Sequence, residues 1–306
     1  MSALKRTALG SLAFLPLLLL ASCAAVQSGA DILAGTGQIS ESDRQSIVKT
    51  SQAVSATFSQ ITEEQEYYIG RSVAALILNQ YPAYDNPALN AYINTLGQVV
   101  VYSSTRPEIY AGYHFLVLDS DEVNALSAPG GFIFITKGLL RRCKNEEMLA
   151  SVLAHEAAHI SAKHGLQAIK KSRLVDAFRI IGTEAARRYG SEELAQLTTA
   201  FEGSVGDIVE TLVVRGYDRK SELEADDLAV KFDVAAGYSP QGLTDFLQAM
   251  TGDTAAAASG KGWFKTHPSA EQRLEKVKGR IAALSPVPME ASVRTKRFEQ
   301  SVAKLK

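Results

Sequence analysis

His155-Glu156-Ala157-Ala158-His159 decides the fold by where it stands, inside a run from Asn145 to His164 that carries Leu149, Val152, Leu153 and Ile160 at helical spacing. Asn145 is suited to cap the start of that helix, and Gly165 is placed to end it. Four residues advance an α-helix by about 400°, so the two imidazoles project from one face, one turn apart. That separation suits a single Zn²⁺. Glu156 sits beside the pair, where a carboxylate does not ligate but can take a proton from water and pass it on. Two histidines in a core helix would read the same way if nothing else in the chain answered them.

A zinc centre that does chemistry needs a third protein ligand and an open fourth position. A histidine six residues after His159 would supply one, but Gly165 stands there. His164 misses by one residue; at about 140° around the helix from His159 it points away unless the helix breaks early, and it reads as a helix-end residue near the last carbonyls. The remaining option is a carboxylate from a later helix, and Glu222-Leu223-Glu224-Ala225-Asp226 offers one. Glu222 and Asp226 share a face, so the first can bind metal while the second accepts a hydrogen bond from the far nitrogen of a liganding histidine, His155 in the first instance. A solvated acidic face would look similar, and Glu224 and Asp227 fit that description.

The ends of the chain set its compartment. Lys5 and Arg6 precede an apolar run from Leu9 to Ala21, interrupted by Pro16 and too short to favour a spanning helix of about 20 residues. The reading is a signal peptide over 1–22, removed on export. Leu20-Ala21-Ser22-Cys23 resembles the bacterial lipobox, which implies acylation of Cys23 and a membrane anchor there. Ala24, with no Asp at that position, points by the same resemblance to the outer membrane. Cys143 is the only other cysteine, so no intramolecular disulfide is expected if Cys23 is acylated, and Cys143 reads as a small buried hydrophobe. Losing Lys5 and Arg6 takes the formal net charge from −1 to −3, and nothing in the sequence suggests nucleic acid as a partner.

Residues 23–60, rich in Ser, Gly, Gln and Ala, read as a tether. Thr62-Glu63-Glu64-Gln65 is a capping box that opens a helix to about Asn79, with Tyr68, Ile69, Val73, Ala74, Leu76 and Ile77 on its apolar side. Leu89 to Tyr102 resumes helical spacing. The period then changes: 114–118 and 132–136 read as strands, with Asn124-Ala125 and Pro129-Gly130-Gly131 as loop and turn between them. Beyond Asn145 the chain reads as mostly helical, over 166–188, 192–201, about 221–236, 240–250 and 268–284. An Ala/Gly/Ser-rich loop covers 251–262, and 285–306 reads as a polar tail. The sum is an α+β chain, mainly α, with one domain over 61–284.

These motifs together resemble the HEXXH zinc peptidases that include the CaaX prenyl protease, the heat-shock protease HtpX and periplasmic outer-membrane quality-control peptidases. That family pairs the HEXXH helix with a glutamate followed by two variable residues, Ala and Asp, matched by Glu222, Ala225 and Asp226. The resemblance implies a zincin-like fold, one Zn²⁺ held by His155, His159 and Glu222, Glu156 as catalytic base, and Asp226 behind a liganding histidine. It likewise places Asn124, Ala125, Gly130 and Gly131 beside the cleft, where an extended substrate can pair as an added strand. Thr266-His267-Pro268 is similar to the family's late THP motif, which implies that His267 either donates to the oxyanion or fills the open position at rest. The expected function is zinc-dependent endopeptidase action on periplasmic and outer-membrane proteins in quality control, with envelope-assembly proteins as partners. The rival readings are a chaperone-like or scaffold lipoprotein with this fold and little proteolysis, and a structural lipoprotein with an accidental motif.

Overall fold

A computed structural model describes residues 61–169, 203, 205–251, 262–267, 270–284 and 291–305. The expected signal segment, Cys23, the tether, the expected helix over 166–188 beyond Ile169, the one expected over 192–201 and most of the 251–262 loop lie outside the described residues. None of the described helices is long and apolar enough to cross a membrane.

The first helix, α1 (Glu63–Gln80), opens on the expected box: Thr62 Oγ1 accepts from the Gln65 N–H, and Gln65 Oε1 accepts from the Thr62 N–H. Its buried stripe, however, is Glu66, Gly70, Val73, Ala74 and Ile77, whereas Tyr68 and Leu76 are each 48% exposed. The cause is a close approach. A Cβ on Gly70 would stand 1.7 Å from the Pro129 carbonyl oxygen, so the helix seats along the line through residue 70. Glu66 is buried there because Arg106 donates to both its oxygens, at 3.3 and 3.1 Å.

Helix α2 (Pro87–Tyr102) starts with Asn86 as cap and proline in the first turn, where a missing N–H costs nothing. Its Asn90, Asn94 and Gln98, spaced by four, form one polar row against β1 (His114–Leu118) and the residue before it. Asn90 accepts from the Val117 N–H, Asn94 both accepts from and donates to Phe115, and Gln98 donates to the Tyr113 carbonyl. Those amides satisfy the outer edge of β1, which would otherwise present open backbone groups.

The sheet has three strands where two were expected. β2 (Ala125–Ala128) is antiparallel to β3 (Phe132–Thr136), and β1 is parallel to β3, in the order β1-β3-β2. Ala-Leu-Ser-Ala lacks β-branched residues, and all four are buried, so no alternation marked it as a strand. β2 has no partner strand on its outer side among the described residues. Thr136 ends β3 and caps the short α3 (Lys137–Arg142).

The HEXXH helix is α4 (Glu146–Ser161), capped by Asn145 as expected and buried at every position from Glu146 to Ile160. It ends earlier than the sequence reading had it. Lys163 takes left-handed torsions (φ 59°), and Gly165 falls inside a further turn, α5 (His164–Gln167). A π-helical segment, Glu210–Arg215, then leads to α6 (Arg219–Ala235), which packs on α4 and carries the second motif. α7 (Gln241–Thr251), the turn α8 (Trp263–Thr266) and α9 (Ala270–Ala282) complete the surround.

The reading of 285–306 as a tail is corrected over 291–305. Ala291–Val302 forms α10, whose Phe298 and Val302 join the core together with Leu305. Arg294 donates to Glu147 Oε1 at 2.8 Å and Arg297 to Glu146 Oε2 at 2.7 Å, so this helix supplies countercharge to the two buried acids in the first turn of α4. Scattered polar residues conceal a helix that, among its described residues, buries only Phe298 and Val302, while Val293 stands 63% exposed.

Candidate metal centre

α4 presents His155 and His159 from one face, and their Nε2 atoms stand 3.1 Å apart. α6 brings Glu222 to meet them, with Oε2 at 3.5 Å from His155 Nε2 and Oε1 at 3.5 Å from His159 Nε2. Donor atoms on one tetrahedral zinc, with bonds of about 2.0–2.1 Å, lie roughly 3.3 Å from each other. Each imidazole nitrogen therefore stands near that spacing from the other and from one oxygen of the Glu222 carboxylate. His267, at the C-terminal end of α8, makes the fourth member: one ligand-type atom from each of the four lies within 4.8 Å of the others.

Each donor is oriented from behind. His155 Nδ1 meets Asp226 Oδ1 at 3.0 Å, the partner expected from the four-residue spacing of Glu222 and Asp226. His267 Nδ1 lies 3.0 Å from Glu222 Oε1, and its ring stacks on Trp263 at 4.0 Å. His159 stacks on Tyr217 at 4.1 Å and 14°. Glu156 is fixed through Oε2, which accepts from the Ser127 hydroxyl at 2.7 Å, while Oε1 stands 3.6 Å from His267 Nε2.

Sequence reasoning missed four of these residues. Arg273, on α9, is fully buried and holds Asp226 with two hydrogen bonds while Nη1 sits 2.7 Å from Glu222 Oε2. Trp263, Tyr217 and Ser127 come from three other segments, and no local signal ties them to the histidines. The early break after Ser161 also corrects His164, which is buried with its Nδ1 2.9 Å from His159 Nδ1.

The electrostatics are those of a cation site. Burial raises, but His267 and Arg273 outweigh it, and the Glu222 carboxyl lies well below its usual range. Asp226 is likewise drawn down to about 2, against burial, by Arg273 and His155. Burial and Arg273 push the His155 pKa down, yet the hydrogen bonds of Asp226 and Glu222 lift it to about 9. Burial takes His159 the other way, well below its usual value. Two ionised acids thus face one another's histidines in a space that water does not reach.

Glu156 Oε1, Tyr217 Oη and Trp263 Nε1 are buried with no hydrogen-bond partner. Orphaned polar atoms are uncommon in native interiors, and their concentration around the four donors is what a site built for an additional group looks like. Two buried imidazoles and a carboxylate are the donor set that fits Zn²⁺.

The profile of peptidase family M48 matches residues 87–281, more than half of the chain. The chain belongs to peptidase family M48. Among curated proteins this M48 chain is similar to the beta-barrel assembly-enhancing protease of Yersinia pestis, 26% identical over 236 residues that cover 75% of this chain and 46% of that one. It is also similar to the metalloprotease YcaL of Escherichia coli K12, 28% identical over 173 residues, with 56% of this chain and 63% of that one covered. The mitochondrial metalloendopeptidase OMA1 of Schizosaccharomyces pombe is 32% identical over 156 residues, half of this chain and 42% of its own. The chain spans about half the length of the beta-barrel assembly-enhancing proteases it matches.

The M48 match includes α2 through α9 and leaves α10 outside. Of the residues expected beside the cleft, Asn124 is buried and accepts from the Thr266 hydroxyl at 3.1 Å, tying the sheet to the His267 segment. Ala125 pairs with Ile135 in the sheet. Gly130 and Gly131 are closely packed: a Cβ on Gly130 (φ 71°) would meet Tyr67 of α1 at 2.5 Å, and one on Gly131 (φ 97°) would meet the Gly112 carbonyl at 2.5 Å. Their glycine identity is accounted for by backbone conformation and close packing. Cys143 is buried as expected, and desolvation pushes its thiol up to about 12, away from reactive thiolate.

Proposed function

We propose that this chain is a zinc-dependent endopeptidase of the bacterial envelope, held by lipid on Cys23 at the periplasmic face of the outer membrane, where it hydrolyses misassembled periplasmic and outer-membrane proteins. The observation that carries the reading is the placement of Glu156: one carboxylate oxygen is anchored by Ser127, and the other is left unpartnered beside the metal donors. His155, His159 and Glu222 hold the ion. Bound Zn²⁺ supplies Lewis acidity toward a scissile carbonyl and lowers the pKa of water. Glu156 takes the proton from the attacking water and delivers it to the leaving amine. His267, with Nε2 directed to the Glu156 side, donates to the oxyanion that develops on the carbonyl, or fills the fourth position at rest.

An extended polypeptide adds to the outer edge of β2, whose Ala125 and Ser127 region leads to the base. The β2 residues and the side chains of the centre are buried, and the segment Glu210–Arg215 packs against β2, so a substrate gains access only when the covering segments part. The names of the relatives from Yersinia pestis and Escherichia coli support an envelope setting and assembly proteins as partners. Neither the charge nor any motif favours nucleic acid.

The closed centre is also the observation that favours a second reading, a scaffold or chaperone lipoprotein with little proteolysis. Zinc analysis combined with casein cleavage separates them: the peptidase binds one zinc per chain and cleaves, and Glu156→Gln keeps the zinc and loses cleavage. Full cellular complementation by Glu156→Gln would give the scaffold the better claim. Incorporation of a clickable palmitate, lost in Cys23→Ser, tests the anchor.

A further inference from the structure

The α4 helix breaks one turn after its second histidine, and the break has a chemical result. Lys163, in the left-handed region, redirects the chain so that His164 turns back under His159 instead of out past the helix end. That unfavourable torsion is held from outside, since Lys163 Nζ lies 3.5 Å from Glu66, which Arg106 fixes in turn. His164 Nδ1 then stands 2.9 Å from His159 Nδ1, and His164 Nε2 stands 3.6 Å from Glu224 Oε2. Tyr217 covers both rings, at 4.1 Å from His159 and 5.8 Å from His164.

We propose that His164 is a positioning residue for the metal ligand His159, linking it through a second imidazole to the surface carboxylate of Glu224. The inference rests on His159 being a zinc ligand, as the proposed function has it. The two facing Nδ1 atoms can share only one hydrogen. If His159 binds metal through Nε2, its Nδ1 carries that hydrogen and donates it, so His164 Nδ1 is the acceptor. His164 must then carry its own hydrogen on Nε2, the atom aimed at Glu224. The exposed glutamate, 53% accessible at its side chain, closes the remaining distance by a small torsional change. One metal ligand, His155, is thus backed directly by a carboxylate, and the other is backed by a carboxylate acting through a histidine. Such partners fix the tautomer and the ring orientation of a ligand and raise its basicity. The acidic face of α6 accordingly divides: Glu222 and Asp226 serve the centre directly, and Glu224 serves it at one remove.

The test measures zinc affinity of the full-length protein in detergent by competition with a chelating dye, with the melting temperature of the zinc-free protein recorded alongside. His164→Phe keeps the ring and removes the acceptor; the relay requires a loss of zinc affinity of about 10–100-fold. His164→Gln, whose amide oxygen can accept the same N–H, should recover most of it. A folded His164→Phe with zinc affinity within about twofold of wild type would overturn the proposal, since packing alone would then explain the residue. If His164→Phe does not fold, Glu224→Ala at the exposed end decides: a loss of about threefold supports the relay, and unchanged affinity overturns it. Wild-type protein that binds zinc and cleaves nothing would sink the peptidase reading alone, because the relay is judged on affinity, not turnover.

Discussion

Arg273 grips Asp226 with two hydrogen bonds, Nε to Oδ2 at 2.8 Å and Nη2 to Oδ1 at 2.7 Å, where neither side chain reaches solvent. Nη1 lies beside Glu222, so a single guanidinium balances two buried acids, the donor Glu222 and Asp226 behind His155. Removing one partner of a buried ion pair leaves an uncompensated charge and costs about 3–5 kcal/mol. Arg273→Met, which keeps most of the volume, should lower the melting temperature by roughly 10 °C. Thermal denaturation that changes by only a degree or two would show that the acids do not depend on Arg273.

Ser127 and Glu156 give a second expectation. The hydroxyl fixes one oxygen of the proposed base and leaves the other to work. Ser127→Ala should lower kcat about 10–100-fold, as loss of a hydrogen bond to a carboxylate worth about 1.5–3 kcal/mol does, with KM and zinc content unchanged. Ser127→Thr should restore it. Steady-state kinetics on a fluorogenic peptide make the comparison, and an unaltered kcat in the alanine variant would remove Ser127 from the base's support.

Asp233, on the face of α6 turned to α4, is fully buried; Oδ2 meets the Ser151 hydroxyl at 2.6 Å, and Oδ1 has no hydrogen-bond partner. Burial raises its pKa well above the usual carboxyl value, with Glu147 adding to the effect against the Ser151 hydrogen bond. A raised acid pKa means the folded state holds a proton that the unfolded chain gives up near pH 4, so this group's contribution weakens stability as pH rises from about 4 toward the folded pKa. Asp233→Asn should therefore melt about 2–4 °C higher than wild type at pH 7, with the difference vanishing near pH 4. Equal melting temperatures at both pH values would mean that the carboxyl is ionised without penalty.

Phe298 tests the role of α10, the helix outside the M48 match. It is buried against the core beneath a helix that also pairs Arg294 and Arg297 with Glu147 and Glu146. Phe298→Ala should cost about 3–5 kcal/mol. Urea unfolding measures it, and a cost under about 1 kcal/mol would mark α10 as a loosely docked appendage.

How much of this was legible beforehand follows from how local each signal is. The Asn145 cap, the Thr62 box and the four-residue spacings of His155 with His159 and of Glu222 with Asp226 are contained within single turns, and each appears as read. The three expected ligands and His267 also meet. β2 escaped notice because Ala-Leu-Ser-Ala is buried on both faces and carries no β-branched residue. His164 escaped because no glycine announces the left-handed turn at Lys163; the Glu66 that pairs with Lys163, and Arg106 behind it, are distant in sequence. Arg273, Trp263, Tyr217 and Ser127 belong to the centre only through tertiary packing, which no periodicity records.

The helix that carries His155 and His159 has no wet face from Glu146 to Ile160. Its amide hydrogens can therefore trade with deuterium only when the whole domain comes apart, since partial opening would uncover core on every side. Deuterium uptake at these positions becomes a gauge of global unfolding, and adding zinc should slow it by the factor that metal binding lends to the folded state. One central segment would then report cation affinity and fold stability on the same scale.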